Sequence, residues 1–238
     1  CCCCPCSCSC PEPPSPGPQP TYREISIPVP QPEGVTNLPA NIYFQIDARF
    51  TAAQQQRIKD AIGATLFQWY SHLTEKWNGG ANNGVSQLAA CTNLYATKNL
   101  EPTWYSGPPV SNGLIATNIA MDQFTQLIRD NGFHLSSPAK IDYLIPSPIT
   151  SSTIQGETSL KQNQVSLSFR INPIQLDRAD IGIAILTGSM FHAWLHRAGF
   201  QDPKITNYFI SEAPMCTMRG FQPKNPNVPD SVFYQFFD

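Results

Sequence analysis

Proline is distributed very unevenly along this chain. Eleven of its 23 prolines lie within residues 1–40, and seven of its nine cysteines lie within residues 1–10. Proline has no backbone N–H and a fixed φ, so such a stretch favours extended polyproline II chain over helix or sheet. We therefore predict a Cys/Pro-rich tail at 1–40. The remaining residues, 41–238, are numerous enough to bury a core and are predicted to form one folded domain.

The charge of the chain excludes several classes of function. Fifteen basic and 17 acidic residues give a net charge of −2, and no run of Lys or Arg occurs. We therefore expect neither nucleic-acid binding nor a polybasic membrane patch. No apolar run approaches the roughly 18–20 residues of a transmembrane helix. Charged residues make up only 13% of the chain, below the roughly 25% of an average soluble domain, which favours a secreted protein.

The apolar pattern of residues 41–238 predicts an α+β domain. Ile42, Phe44 and Ile46 alternate along a predicted strand. Apolar residues at helical spacing predict a helix over 52–76 that is capped by Thr51. The other predictions are short strands and loops at 78–118, helices at 119–131 and 181–199, strands at 141–147 and 164–171, and loops at 203–238.

Residues 191–203, FHAWLHRAGFQDP, carry the pattern most typical of chemistry. His192 and His196 are four residues apart, so they share one helix face where two imidazoles can reach a single metal ion. Gly199 is expected to end the helix in a sharp turn that brings Asp202 back as a third ligand. Such a set leaves one tetrahedral position open, as in catalytic rather than structural zinc sites. The alternative is two histidines placed by chance on an apolar helix.

This stretch resembles the zinc-binding signature of the metzincin clan of metallopeptidases, H-E-x-x-H-x-x-G-x-x-H/D. The resemblance covers residues 192–218 and implies a zinc endopeptidase with His192, His196 and Asp202 as metal ligands. It also implies a mixed twisted sheet, a backing helix, an active-site helix and a short C-terminal subdomain. The implied partner is a peptide or protein substrate. We expect a monomer that is secreted or extracellular.

Ala193 occupies the position at which the clan has its catalytic Glu. In the clan that Glu moves a proton from the attacking water to the leaving amine, which a methyl group cannot do. This form is therefore expected to be inactive. Two explanations remain open: a Glu→Ala change engineered to trap an inactive protein, which we favour because every ligand is retained, and a natural pseudoprotease that binds peptides. A third interpretation is a structural surface protein in which the histidine pair is incidental.

The clan also has a Met-containing turn beneath its metal. The candidate here is SEAPMCTM at 211–218, in which Pro214 favours a turn and Met215 would form an apolar floor. Clan members often have a Tyr two residues after this Met. Thr217 occupies that position, so Tyr208 is at most a substitute for it.

Cys91 and Cys216 are the two cysteines outside the tail. A disulfide between them and a pair of buried thiols are both compatible with the sequence.

The tail has three possible roles. As an inhibitory prosegment it would place Cys10, Glu24 or Glu33 in the open zinc position. As a stalk it would tether the domain to a cell surface through its N-terminal cysteines. As an inert segment it would do neither, and all three roles remain open.

Overall fold

The structure is a computed structural model that describes residues 20–77, 84–145 and 154–238. In chain order its elements are β1 (Tyr22–Pro28), β2 (Asn41–Asp47), α1 (Ala52–Trp77), α2 (Gln87–Tyr95), α3 (Gly113–Gly132), β3 (Ala139–Tyr143), β4 (Ile154–Gln155), β5 (Phe169–Ile171), α4 (Pro173–Asp177), α5 (Ile183–Arg197), α6 (Phe209–Met218) and α7 (Ser231–Tyr234).

The strands form one mixed sheet in the order β1-β2-β3-β5-β4. The inner pairs β2/β3 and β3/β5 are parallel, and the outer pairs β1/β2 and β4/β5 are antiparallel. The predicted α+β class with a mixed sheet is confirmed. Within the described residues, no helix is both long and apolar enough to cross a membrane.

β1 comes from the proline-rich stretch. It pairs with β2 along its whole length, and Ile27 and Val29 at its end are buried. Pro28 is tolerated because an edge strand needs ladder hydrogen bonds on one side only. The folded region therefore begins well before the predicted boundary at residue 40, whereas residues 1–19 lie outside the described part of the chain.

The strand and helix that follow agree with the pattern from which they were predicted. Ile42, Phe44 and Ile46 of β2 are all buried. Thr51 caps α1 by a reciprocal exchange: its hydroxyl accepts from the Gln54 N–H at 3.2 Å, and the Gln54 side chain accepts from the Thr51 N–H at 3.0 Å. α1 packs against α5, the helix that carries His192 and His196.

Several other predictions were wrong in detail. Residues 84–118, predicted as short strands and loops, contain α2 and the start of α3. The side chain of Ser86 caps α2, and that of Asn112 caps α3. The predicted strand at 164–171 shortens to β5, which lies inside the sheet. Residues 203–238 contain α6 and α7. Residues 78–83 and 146–153 lie outside the described chain.

A disulfide joins Cys91 of α2 to Cys216 of α6. Both residues are buried in the main core. Of the two alternatives that the sequence left open, the structure has the bridge. It fastens α6, which packs on the site helix α5, to the first half of the chain.

Candidate metal centre

His192 and His196 lie on α5, and Asp202 follows the turn after it. One ligand atom from each of the three lies within 4.8 Å of the others. Both histidines are buried, whereas Asp202 is exposed. The predicted grouping is therefore present, and these three side chains could hold a metal ion.

A tight turn after α5 brings the third residue back. Gly199 has a φ of +98°, a conformation that glycine adopts without a Cβ penalty. Its N–H donates to the carbonyl of His196 at 2.9 Å, and the Phe200 N–H donates to the carbonyl of Leu195 at 3.0 Å. These two bonds form a Schellman motif. A Cβ at Gly199 would also lie only 2.6 Å from Nε1 of Trp104, so the turn needs glycine for two reasons.

Backbone carbonyls fix both imidazole rings. Nδ1 of His192 lies 2.8 Å from the carbonyl oxygen of Ile210, and Nδ1 of His196 lies 3.0 Å from that of Phe200. A carbonyl oxygen only accepts, so an Nδ1 that bonds to one carries the proton and donates it. The hydroxyl oxygen of Thr158 also lies 2.9 Å from Nδ1 of His196 and can accept from the same N–H. In the neutral ring, Nε2 then carries a lone pair on the side away from that carbonyl. Histidines that bind metals are held in this way.

Pro214 explains why the carbonyl of Ile210 is available. Both residues lie in α6, and in a regular helix that carbonyl would accept from the N–H of residue 214. Proline has no N–H. The carbonyl therefore accepts from Nδ1 of His192 instead, so the missing donor in α6 becomes the orienting contact of the site.

The turn predicted around Met215 is wrong, because residues 209–218 form α6. Proline is accepted inside this helix since the carbonyl that it leaves free finds a partner in His192. Met215 is fully buried and packs with Met218 and Phe237, and the Phe237 ring stacks on His192. Its predicted role as an apolar floor stays a prediction.

Three further positions named in the sequence analysis have well-defined neighbours. Ala193 is fully buried in the main core. The backbone at Gly156 passes so close that a Cβ there would lie 2.3 Å from the carbonyl oxygen of Ala193. Tyr208 lies just before α6, and its ring contacts the amino group of Lys98. Thr217 accepts a 2.6 Å hydrogen bond from the Gln68 side chain of α1.

Asp238 is a site residue that sequence reasoning missed. Its Oδ1 lies 3.3 Å from Nε2 of His192 and 3.8 Å from Nε2 of His196. Its Oδ2 accepts a 2.8 Å hydrogen bond from the N–H of Gly156. No spacing rule links Asp238 to the histidines. The sequence offered one indication, the aromatic run directly before Asp238, whose side chains favour burial against the domain.

The electrostatics of the site favour a neutral His196 and an ionised Asp238. Burial, followed by the charge of His192, lowers the pKa of His196, although Asp238 and Asp202 act to raise it. Burial acts to raise the pKa of Asp238, but its interactions with His192 and His196 outweigh this and hold that pKa below its usual value. These are the protonation states in which such side chains bind metals.

The two acidic side chains of the tail that were proposed to block the site, Glu24 and Glu33, lie far from it. Glu24 lies on β1 and Glu33 in the connection from β1 to β2, at the sheet edge opposite β4. Four strand spacings, about 19 Å, separate the two edges. Gly156, which holds Asp238, directly follows β4. Cys10 lies outside the described residues.

No family model matches this chain, and no curated protein or solved structure matches it. The metzincin resemblance therefore rests on the residues of 192–218.

Proposed function

We propose that this protein is a zinc-binding domain of the metallopeptidase type whose general base is missing. One observation carries the proposal. His192 and His196 both donate Nδ1–H to backbone carbonyls, and one ring nitrogen of each lies within 4.8 Å of a carboxylate oxygen of Asp202. Buried side chains oriented in this way have the geometry of metal ligands.

The donor set supports zinc as the ion. Two imidazole nitrogens and one carboxylate oxygen are donors that zinc accepts in catalytic sites. Imidazole also suits copper, iron and nickel, so the donor atoms alone favour a first-row transition metal over calcium or magnesium. The resemblance to the metzincin signature then favours zinc among these.

The expected chemistry is peptide hydrolysis with one component absent. Zinc, when bound, supplies a Lewis acid that polarises a carbonyl. Ala193 has no group that can accept or return a proton, so this chain lacks the general acid–base step, which is typically worth about 10²–10⁴-fold. We therefore propose that the present form binds metal and hydrolyses peptides poorly or not at all.

A natural pseudoprotease that binds peptides is the second candidate, and one observation favours it. Ala193 is fully buried, so this position has no surface through which it could reach a substrate. In this candidate the zinc organises a peptide-binding surface. An introduced Glu→Ala change in an active enzyme remains the alternative origin of Ala193.

The proposed setting is extracellular, with a peptide or protein as partner and the domain as a monomer. The Cys91–Cys216 disulfide supports an oxidising compartment, because such bonds rarely persist in the cytosol.

The test has two stages. Metal analysis of the purified protein should give about one zinc per chain, and much less than that would overturn the proposal. In an Asp238→Ala background, Ala193→Glu should then create peptidase activity that a chelator removes, because it supplies the missing proton carrier. Ala193→Gln is the matched control, since it has nearly the same shape and cannot transfer a proton.

Both variants should also be measured with Asp238 in place, where its carboxylate lies against the histidines and should keep activity low. Zinc binding without activity in any Ala193→Glu protein would favour the peptide-binding module.

A further inference from the structure

Phe237 and Asp238, at the end of the segment 231–238, lie against the two histidines of the candidate metal centre. The ring of Phe237 stacks on the imidazole of His192, with centroids 4.3 Å apart and planes 4° from parallel. Phe237 is fully buried against Met215 and Met218. Its carbonyl accepts a 2.6 Å hydrogen bond from the amino group of Lys204. These contacts fix the chain one residue before Asp238, so the position of that carboxylate is set by packing.

The separation of the Asp238 carboxylate from the histidines is that of neighbouring metal ligands. Zinc bonds to nitrogen and oxygen are about 2.0–2.2 Å long, so two ligand atoms at tetrahedral positions lie about 3.3–3.6 Å apart. Oδ1 of Asp238 lies 3.3 Å from Nε2 of His192 and 3.8 Å from Nε2 of His196. Both distances are close to the separation of two ligand atoms bound to one ion.

The hydrogen-bond partners of these side chains also indicate a shared cation. Both Nδ1 atoms donate to carbonyls, so in the neutral form of each ring Nε2 carries a lone pair. An ionised carboxylate oxygen also carries lone pairs only. Among the described residues, Nε2 of His192 and Oδ1 of Asp238 are buried without a hydrogen-bond partner, although they lie 3.3 Å apart. Buried acceptors that face each other are costly unless a cation lies between them.

The other oxygen of the same carboxylate is already satisfied. Oδ2 of Asp238 accepts from the N–H of Gly156 at 2.8 Å, and the Asp238 side chain is only 16% exposed. The carboxylate is thus held by one oxygen and directed at the histidines by the other. Ligating carboxylates are oriented by outer hydrogen bonds in this way.

We propose that Asp238 is a fourth protein ligand of the metal, and that residues 231–238 thereby close the centre on itself. The inference rests on the proposed function and adds regulation of the same site. With His192, His196, Asp202 and Asp238 bound, no coordination position remains for water or a peptide carbonyl. A substrate can reach the metal only after residues 231–238 have moved away.

The competing account is an ion pair without metal. A protonated His192 would satisfy Oδ1 of Asp238 directly, and the segment would then cover a buried salt bridge. The two accounts differ in what replacement of Asp238 does to a bound metal, which makes them separable.

The experiment uses the full chain loaded with Co²⁺, whose visible spectrum reports the coordination geometry, and acetohydroxamate as a probe of an open position. The wild-type protein should bind Co²⁺ and show little response to the hydroxamate. Asp238→Asn should lower Co²⁺ affinity at least about tenfold, no less than the loss of an outer-shell partner costs. It should also let the hydroxamate bind and change the spectrum. Asp230→Asn, a nearby carboxylate that pairs with Lys224, is the matched control.

Each outcome decides between the accounts. A wild-type Co²⁺ protein that binds the hydroxamate as readily as Asp238→Asn would overturn closure by Asp238 and leave the proposed function intact. A chain that binds neither Co²⁺ nor Zn²⁺ would overturn the proposed function and favour the ion pair. The wild-type measurement stands by itself if Asp238→Asn should fail to fold.

Discussion

Two regions of the molecule bring a carboxylate toward the same pair of histidines. Asp202 comes from the turn directly after α5, is exposed, and has its backbone carbonyl held by the Asn99 side chain. Asp238 comes from residues 231–238, is mostly buried, and has one carboxylate oxygen held by Gly156. The residue that sequence spacing identifies is thus less constrained than the one that packing delivers. Spacing indicates which groups can meet, and packing determines how firmly they are held.

Replacing a histidine should have the largest effect on this arrangement. His192→Ala should abolish stoichiometric zinc binding, because the change removes a buried ligand and leaves its neighbours without a shared partner. The loss in affinity should exceed the roughly 10–100-fold that outer-shell changes cause. Isothermal titration with zinc measures it. The exposed His134 is the control, and His134→Ala should bind zinc as the wild type does.

Asp202→Asn tests the exposed side of the comparison. If Asp202 is a ligand, zinc affinity should fall at least about tenfold in a competition assay with a chromophoric chelator. An unchanged affinity would remove Asp202 from the site and leave Asp238 as the third ligand. That outcome would break the comparison, because only the packed carboxylate would then serve the metal.

Pro214→Ala tests the outer contact of His192. Alanine restores an N–H that can bond to the carbonyl of Ile210, which then competes with Nδ1 of His192. Zinc affinity should fall about tenfold, whereas the free energy of unfolding of the zinc-free protein should stay equal or rise, because a helix gains a hydrogen bond. Pro223→Ala, a change outside α6, should alter neither quantity in this way. Opposite signs for affinity and stability would identify a positioning residue.

His72 should have the smallest effect on metal binding and a distinct effect on stability. Burial lowers its pKa from 6.5 to about 3, so the unfolded chain takes up a proton that the folded chain rejects. The stability attached to His72 is complete above about pH 6.5 and is lost as the pH falls toward 3, by up to about 5 kcal/mol.

His72→Asn keeps a polar partner for the hydroxyl of Ser86, which lies 2.7 Å from Nδ1 of His72. Urea unfolding of the zinc-free protein at pH 7, 5 and 4 should show a flatter pH dependence for this variant. An equally steep acid loss in both proteins would contradict the assignment, and zinc affinity at pH 7 should not change.

Local patterns predicted the parts of the fold that depend on neighbours in sequence. The alternation in β2 and the Thr51 cap of α1 are both present. β1 was missed because the proline content of its region masked the alternation that ends in Ile27 and Val29. α2 was missed because Gly and Asn around it were interpreted as loop, although Ser86 is a good helix cap.

The site divides in the same way. Spacing grouped His192, His196 and Asp202 correctly, since all three belong to one helix and its turn. Pro214 was interpreted as a residue that forms a turn. In the structure its missing N–H instead leaves the carbonyl of Ile210 free to accept from His192. Asp238 could not be predicted, because its approach depends on where an aromatic segment packs after the whole chain has folded.

The disulfide between α2 and α6 links the metal centre to the redox conditions in which the chain folds. α6 carries both Cys216 and the carbonyl that orients His192. By the chain-entropy model, closing a loop of 125 residues stabilises the fold by about 5 kcal/mol. If these two thiols are reduced, His192 and His196 keep their spacing on α5. However, α6, which orients His192, is then no longer covalently fixed to α2. If the proposed metal site is correct, reduction of this disulfide should therefore weaken metal binding.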